Sequence, residues 1–250
     1  MNFDHSEIYS LAKHYDKIND FDFDIPFYKK FALKQKGKIL ELGCGTGRVI
    51  LPLLKDNFEI IGIDASEEML QEAKEKASKE NLNINVLKQD IVYFELKDKF
   101  DLILCVHNSF SHINGIENVK TFFENVKKHL TKDGLFILQV FNPDFYFFTR
   151  NPNEKHPLKT YQDPYSDQIV ELLENNFYDD ESQINYIKWF FKTGKNETVV
   201  SFNQRVYFPQ ELDYIVQFCG FEIVDKFGDF EVTPFEEHPD TQILVLRERK

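Results

Sequence analysis

The stretch Lys38-Ile39-Leu40-Glu41-Leu42-Gly43-Cys44-Gly45-Thr46-Gly47-Arg48 constrains the fold of this chain more than any other. An apolar run ends in an acid and then turns through three alternate glycines, and a helix-like stretch, Val49-Ile50-Leu51-Pro52-Leu53-Leu54, follows. A second apolar run, Ile60-Ile61-Gly62-Ile63, ends in Asp64. Glycine tolerates positive φ and lets backbone approach a ligand where a Cβ would collide. The loop is therefore expected to present bare amides and a helix N-terminus to something flat and polar. The acid closing the second strand sits where nucleotide-binding folds hold ribose hydroxyls. Together these features describe a nucleoside cradle; the competing reading is a purely structural strand–turn–helix.

The glycine register narrows the choice. Dinucleotide folds place their glycines as GxGxxG, resting a pyrophosphate on the helix. Here they fall as GxGxG after Glu41-Leu42, and no GxGxxG register can be read. A nicotinamide or flavin enzyme is thereby the weaker alternative. The loop resembles motif I of the class I S-adenosylmethionine (AdoMet)-dependent methyltransferases, whose usual form is E/D-x-G-x-G-x-G, and Asp64 coincides with that family's later acid.

With 250 residues, 42% of them hydrophobic, the chain can build one elaborated α/β domain or two small ones. A net charge of −12 argues against a broad nucleic-acid footprint, which needs a positive surface. Cys44, Cys105 and Cys219 are widely spaced and form no CxxC pair, so they read as buried small side chains rather than zinc ligands or disulfides. No His/Asp spacing suggests a metal. The N-terminus lacks the basic start and apolar core of a signal peptide, and no run approaches the roughly 20 apolar residues of a membrane span. A soluble, cytoplasmic protein is expected, with no feature that sets its oligomeric state.

Along the chain, helical segments are expected from about Ser6 to Leu33, broken near Pro26, with Tyr9, Tyr15, Phe27, Tyr28 and Phe31 as aromatic bulk. Strands at Lys38–Leu42, Glu59–Ile63, Ile84–Lys88, Phe100–Cys105 and Gly134–Val140 alternate with helices at about Gly47–Lys55, Ser66–Glu80 and Ile116–Leu130. Ser66 is the expected cap of the second of these helices, and Asp133-Gly134 reads as a turn. Continuous apolar strands separated by helices imply a parallel sheet buried on both faces. The segment Phe145–Thr160 reads as irregular. Three strand-like runs follow at about Gln168–Tyr178, Gln183–Lys192 and Glu197–Phe208, split by hairpin-type turns. A helix from Pro209 stops at Cys219-Gly220, and Phe221–Phe227 and Thr241–Arg247 are the last strands.

This order of elements resembles the class I methyltransferase fold from about Lys38 to Lys250. The resemblance implies a Rossmann-like, seven-stranded, mostly parallel α/β sheet with an antiparallel last strand, helices on both faces, and a small inserted antiparallel sheet. It divides the chain into an N-terminal helical lid (1–36), a core (37–143 and 209–250) and an acceptor-side cap (144–208). Tyr15-Asp16-Lys17-Ile18 and the L-G-C-G-T-G loop are similar to the small-molecule branch of the family.

Carried over by resemblance, Gly43, Gly45 and Gly47 face the methionine part of AdoMet, and Glu41 orders the loop and reaches the amino group. Asp64 accepts from both ribose hydroxyls. Ala65 and Met69 flank the adenine ring, while Gln89, Asp90 and Ile91 lie at its edge. Val106, with His107, Asn108 and Ser109, faces the sulfonium and the acceptor. Tyr15 is the candidate lid residue and Arg48 the candidate partner of the cofactor carboxylate. His112 and His107 are the candidate general bases, because they lie where open α/β sheets gather chemistry and an imidazole titrates near neutrality. His5, His14, His129, His156 and His238 have no partner pattern.

The activity implied is AdoMet-dependent methyl transfer to nitrogen or oxygen of a small-molecule acceptor, releasing S-adenosylhomocysteine. A non-catalytic AdoMet-binding module and an RNA or protein methyltransferase are the rival readings. The aromatic cluster Phe145, Tyr146, Phe147, Phe148, Tyr186 and Trp189 is expected to wall the acceptor pocket or to pack the inserted sheet.

Overall fold

The computed structural model describes residues 11–237 and 239–249. The expected helical start near Ser6, with Tyr9 in it, and His5 and His238 lie outside the described residues. In chain order the elements are α1 (Ala12–Ile18), α2 (Ile25–Gln35), β1 (Ile39–Leu42), α3 (Ile50–Lys55), β2 (Ile60–Asp64), α4 (Glu67–Lys79), β3 (Asn85–Lys88) and β4 (Phe100–Cys105). A 3₁₀ turn (Ser109–His112) leads to α5 (Ile116–His129), β5 (Leu130–Phe141) and α6 (Phe145–Phe148). Then come β6 (His156–Gln162), β7 (Ile169–Asp179), β8 (Ile184–Thr193), β9 (Asn196–Arg205), α7 (Pro209–Phe218), β10 (Phe221–Phe227) and β11 (Thr241–Glu248).

Two compact units emerge. One comprises the chain through Asp20 together with Pro143–Val206; the other comprises Phe21–Asn142 and Tyr207 onward. The division thus cuts the N-terminal segment between Asp20 and Phe21, and α2 belongs to the larger unit.

The larger unit is a seven-stranded sheet in the order β10-β11-β5-β4-β1-β2-β3. Neighbours from β5 through β3 run parallel, and β11 is antiparallel to both β5 and β10. Successive strand residues point to opposite faces, so each apolar run feeds two cores. Ile39, Leu102, Leu104, Ile137 and Val245 pack with Tyr28 and Phe31 of α2 and Ile50 and Leu53 of α3. Leu40, Ile103, Cys105, Phe136 and Leu138 pack with Val119, Phe122, Phe123 and Val126, an i, i+3, i+4, i+7 stripe on α5. Ser66 caps α4 by accepting from the Met69 amide at 3.2 Å, with Glu67 and Glu68 in the first turn and Lys76 and Lys79 in the last.

The smaller unit holds the antiparallel sheet β6-β7-β8-β9, whose inner residues Val170, Leu172, Ile187, Phe191, Val200 and Phe202 pack with Leu11 and Ile18. Two expectations about regular structure are corrected. The segment read as irregular contains α6 and strand β6; Pro157 cannot donate to a ladder, and β6 is accordingly an edge strand with a register shift between Pro157 and Lys159. Strand β5 begins at Leu130, and the Asp133-Gly134 signal marks an irregularity inside it: Phe100 pairs with Leu130, but Leu102 pairs with Leu135. Among the described residues no helix is long and apolar enough to cross a membrane.

Candidate active site

Parallel pairing brings the carboxyl ends of β1, β2, β3 and β4 to one edge of the sheet, with β2 and β4 flanking β1. The chain leaves β1 for one side and returns beside it as β4, which makes this the switch point where open α/β sheets form a crevice. The glycine loop leaves β1 here, Asp64 ends β2, Gln89-Asp90-Ile91 follow β3, and Val106 to Ser109 follow β4.

The loop is built from within. The amides of Gly43 and Cys44 both donate to the Ile63 carbonyl (2.8 and 3.0 Å), and the Gly47 amide donates to that of Cys44 (2.9 Å). The Gly45 amide donates to Asp64 Oδ2 at 2.9 Å. The expectation of bare amides is therefore corrected for these four: three hold the loop to β2 and the Gly47 amide closes the turn on the loop itself. Gly43 permits a close approach, since a Cβ there would lie 2.5 Å from Ser109 Oγ. Gly45 differs, because at its φ of +52° a Cβ would meet no atom within 4 Å. That face is open.

Two carboxyl groups lie on the strands that carry this loop, Glu41 in β1 and Asp64 at the end of β2. Glu41 is 3% exposed, and its Oε2 is buried without a hydrogen-bond partner. Burial pushes Glu41 up to about 8; Arg48 opposes the shift, while Asp64 and Asp24 add to it. Asp64 Oδ1 accepts from the Ser66 amide at 2.9 Å. Burial also raises the Asp64 carboxyl above the usual range, against the pull of the Ser66, Gly45 and Ala65 amides. A carboxylate offers about four acceptor positions on its two oxygens, so Asp64 has room to accept from a ligand as well. Buried Glu41 and half-buried Asp64, both held above the usual carboxylate range and the second adding to the shift of the first, offer acceptors suited to a cation and to hydroxyl donors.

Around this pair, Arg48 makes a bidentate ion pair with Asp24 (2.7 and 2.8 Å) and lies 4.5 Å from the Phe21 ring centroid. The partnership binds the segment entering α2 to the glycine loop. Sequence reasoning missed Asp24 and Phe21, which carry no local motif. Met69 is buried at 1% exposure in the first turn of α4, and Ala65 is exposed. Exposed Asp90 accepts from the Val92 amide at 2.7 Å, and the Gln89 amide donates to the Asp64 carbonyl at 3.0 Å, tying the β3 loop to β2. Val106 is buried.

His107 and Asn108 both hold positive φ, 52° and 65°, an uncommon conformation that accumulates at functional sites. The His107 amide donates to Gln139 Oε1 at 2.5 Å, Gln139 Nε2 donates to Thr241 Oγ1 at 2.7 Å, and the Phe141 amide donates to Asn108 Oδ1 at 2.6 Å. Gln139 and Thr241 were likewise missed. Burial pushes His107 down to about 4, with Arg48 lowering it further and Asp24 opposing. His112 ends the 3₁₀ turn at the same sheet edge. Tyr15 stands on α1, in the smaller unit. Cys44 and Cys105 are buried, and Cys219 is half-buried. Among the described residues no group of three or more His, Cys, Asp or Glu is arranged to hold a metal ion.

Comparison with known proteins agrees with this geometry. Residues 39–134 match the methyltransferase domain family. The glycine/sarcosine N-methyltransferase of Aphanothece halophytica is 27% identical over 222 residues, covering 86% of this chain and 78% of that protein. The crystal structure of an S-adenosylmethionine-dependent methyltransferase from Clostridium acetobutylicum ATCC 824 superposes with a TM-score of 0.76 at 24% identity, over 96% of this chain and 98% of the other. The sugar N-methyltransferase KedS8 from Streptoalloteichus sp ATCC 53650 gives 0.72 at 15% identity, over 100% and 96% of the two chains. At these identities the two structures establish a shared fold. Residues 39–134 are thus a methyltransferase domain, and the motif and topology around it are those of the class I AdoMet-dependent methyltransferase fold.

Proposed function

We propose that the chain transfers a methyl group from AdoMet to a nitrogen or oxygen of a small-molecule acceptor and releases S-adenosylhomocysteine. The observation that carries this reading is the buried, unpartnered Glu41 oxygen on β1, together with the open space at Gly45 in the loop that leaves that strand. The residues fit the ligand: Glu41 would hold its α-ammonium and Asp64 its ribose hydroxyls. Ala65 and Met69 would flank the adenine, and Gln89, Asp90 and Ile91 would meet its edge. Gly43 and Gly47 shape the loop, and Arg48, anchored by Asp24, sets its charge balance.

Bound AdoMet supplies a methyl carbon already made electrophilic by the positive sulfur. The protein's task is to position the acceptor and exclude water, and positioning alone is worth roughly 7–11 kcal/mol of barrier. Val106 and the His107–Asn108 turn, fixed by Gln139, form the wall of the larger unit nearest the reacting atoms in this reading. His107, held near 4, is neutral at pH 7 and weakly basic, which leaves His112 as the remaining candidate to accept a proton. An amine that enters as its free base needs no base at all. The small-molecule class is supported by the relatives that act on glycine/sarcosine and on a sugar, and by the net charge of −12.

Calorimetric titration with S-adenosylhomocysteine tests the assignment. Saturable binding is expected, weakened about 100-fold by Asp64→Ala through loss of charge-assisted hydrogen bonds. A wild-type protein that binds neither AdoMet nor its product rejects the reading.

A further inference from the structure

The smaller unit carries a second cluster of buried polar groups that the methyl-donor site does not use. On β7, Glu174 and Asn176 are two residues apart and share the face that holds Val170 and Leu172 farther along. They are 7% and 3% exposed. The ladder sets His156 of β6 and Trp189 of β8 on either side of Glu174. The Trp189 indole Nε1 donates to Glu174 Oε2 at 2.8 Å. Asn176 Nδ2 donates to Asn185 Oδ1 at 3.1 Å and to the Phe147 carbonyl at 3.4 Å.

Those contacts leave Asn176 Oδ1 and His156 Nε2 buried with no hydrogen-bond partner. Buried polar atoms are ordinarily satisfied, so two orphans beside a buried carboxyl group call for a ligand. Burial raises the Glu174 carboxyl above its usual range, opposed by Trp189, Arg150 and His156. The chemistry on offer is acceptor-rich: a carboxyl group and a spare amide oxygen, with an indole whose ring face attracts cations. A ligand bearing N–H donors matches this set. An anion would meet acceptors only at Glu174 and Asn176.

We propose that this end of the β7–β8 face is a binding subsite for a small amine, with Glu174 and Asn176 Oδ1 accepting from its N–H groups and Trp189 packing on its carbon skeleton. The inference goes beyond the proposed function and stands apart from it, because it gives the smaller unit an amine site of its own.

Trp189 is the sole tryptophan among the 250 residues, so its emission reports on this cluster alone. Ethanolamine and glucosamine, each paired with its neutral counterpart, ethylene glycol and glucose, are titrated against the full chain. The amines are expected to produce a saturable change that the neutral compounds do not, weakened at least tenfold by Glu174→Gln. Asn176→Ser, which keeps the carboxyl–indole contact, is a second variant expected to weaken binding should Glu174→Gln fail to fold. The inference is overturned if neither amine saturates, if amines and neutral compounds behave alike, or if the folded variants bind as wild type does. S-Adenosylhomocysteine calorimetry on the same preparations separates the two readings: an intact isotherm with a silent Trp189 overturns the amine subsite alone. An amine response without any isotherm overturns methyl transfer and leaves the subsite standing.

Discussion

At Gly45 the backbone is left-handed, yet an added Cβ would meet nothing within 4 Å. Gly45→Ala therefore separates cofactor space from packing. Left-handed alanine is disfavoured by roughly 1–2 kcal/mol, so a modest fall in denaturation midpoint is expected. AdoMet binding should weaken by about tenfold or more, a factor equivalent to about 1.4 kcal/mol. Undiminished binding in the folded variant would show that the open space is not the ligand's. Gly43→Ala is the contrasting case, because its Cβ would fall 2.5 Å from Ser109 Oγ and disturb the protein itself. Both glycines were singled out by the motif, but their different reasons were not legible: one answers to a side chain 66 positions away, the other to empty space.

Among the elements, the junction of α2 with the glycine loop depends on Arg48 and Asp24, whose side chains are 14% and 2% exposed. Breaking a buried pair from one side leaves an uncompensated charge, which typically costs about 3–5 kcal/mol. Asp24→Asn should show a loss of that order in urea denaturation, and Arg48→Lys should not restore it, since an ammonium cannot make the two-pronged contact. A loss below about 1 kcal/mol, the range of exposed pairs, would count against a structural role. The sequence disclosed the parallel strands readily, because runs such as Phe100–Cys105 are buried on both sides and have no competing pattern. It also disclosed α4 through Ser66. Strand β6 was hidden by Pro157, and the first residues of β5 were hidden by a turn-like Asp133-Gly134 that the fold absorbs as a bulge. The Arg48–Asp24 pair and the Gln139–His107 contact were invisible for another reason. They join positions brought together only by tertiary structure.

For the molecule as a whole, the raised proton affinity of Glu41 enters the stability. Its carboxyl group titrates near 8 when folded against an ordinary 4.5. Below about 4.5 both states carry the proton. Between about 4.5 and 8 only the folded state does, so this group's contribution falls by about 1.4 kcal/mol per pH unit and levels off above 8. The apoprotein of Glu41→Gln should lack that component, so wild type minus variant stability, measured by thermal or urea unfolding across pH 5–9, should decline with pH; a flat difference would contradict the burial of an uncompensated acid. The same feature governs the encounter with a cationic partner. Near neutrality Glu41 keeps its hydrogen ion; in the proposed function the arriving ammonium group would compete with that hydrogen ion for one oxygen, and occupation of the cradle would release the ion to solvent. The proposed methyl-donor pocket would thereby act as an ion exchanger, with the acidity of its surroundings setting how readily it fills.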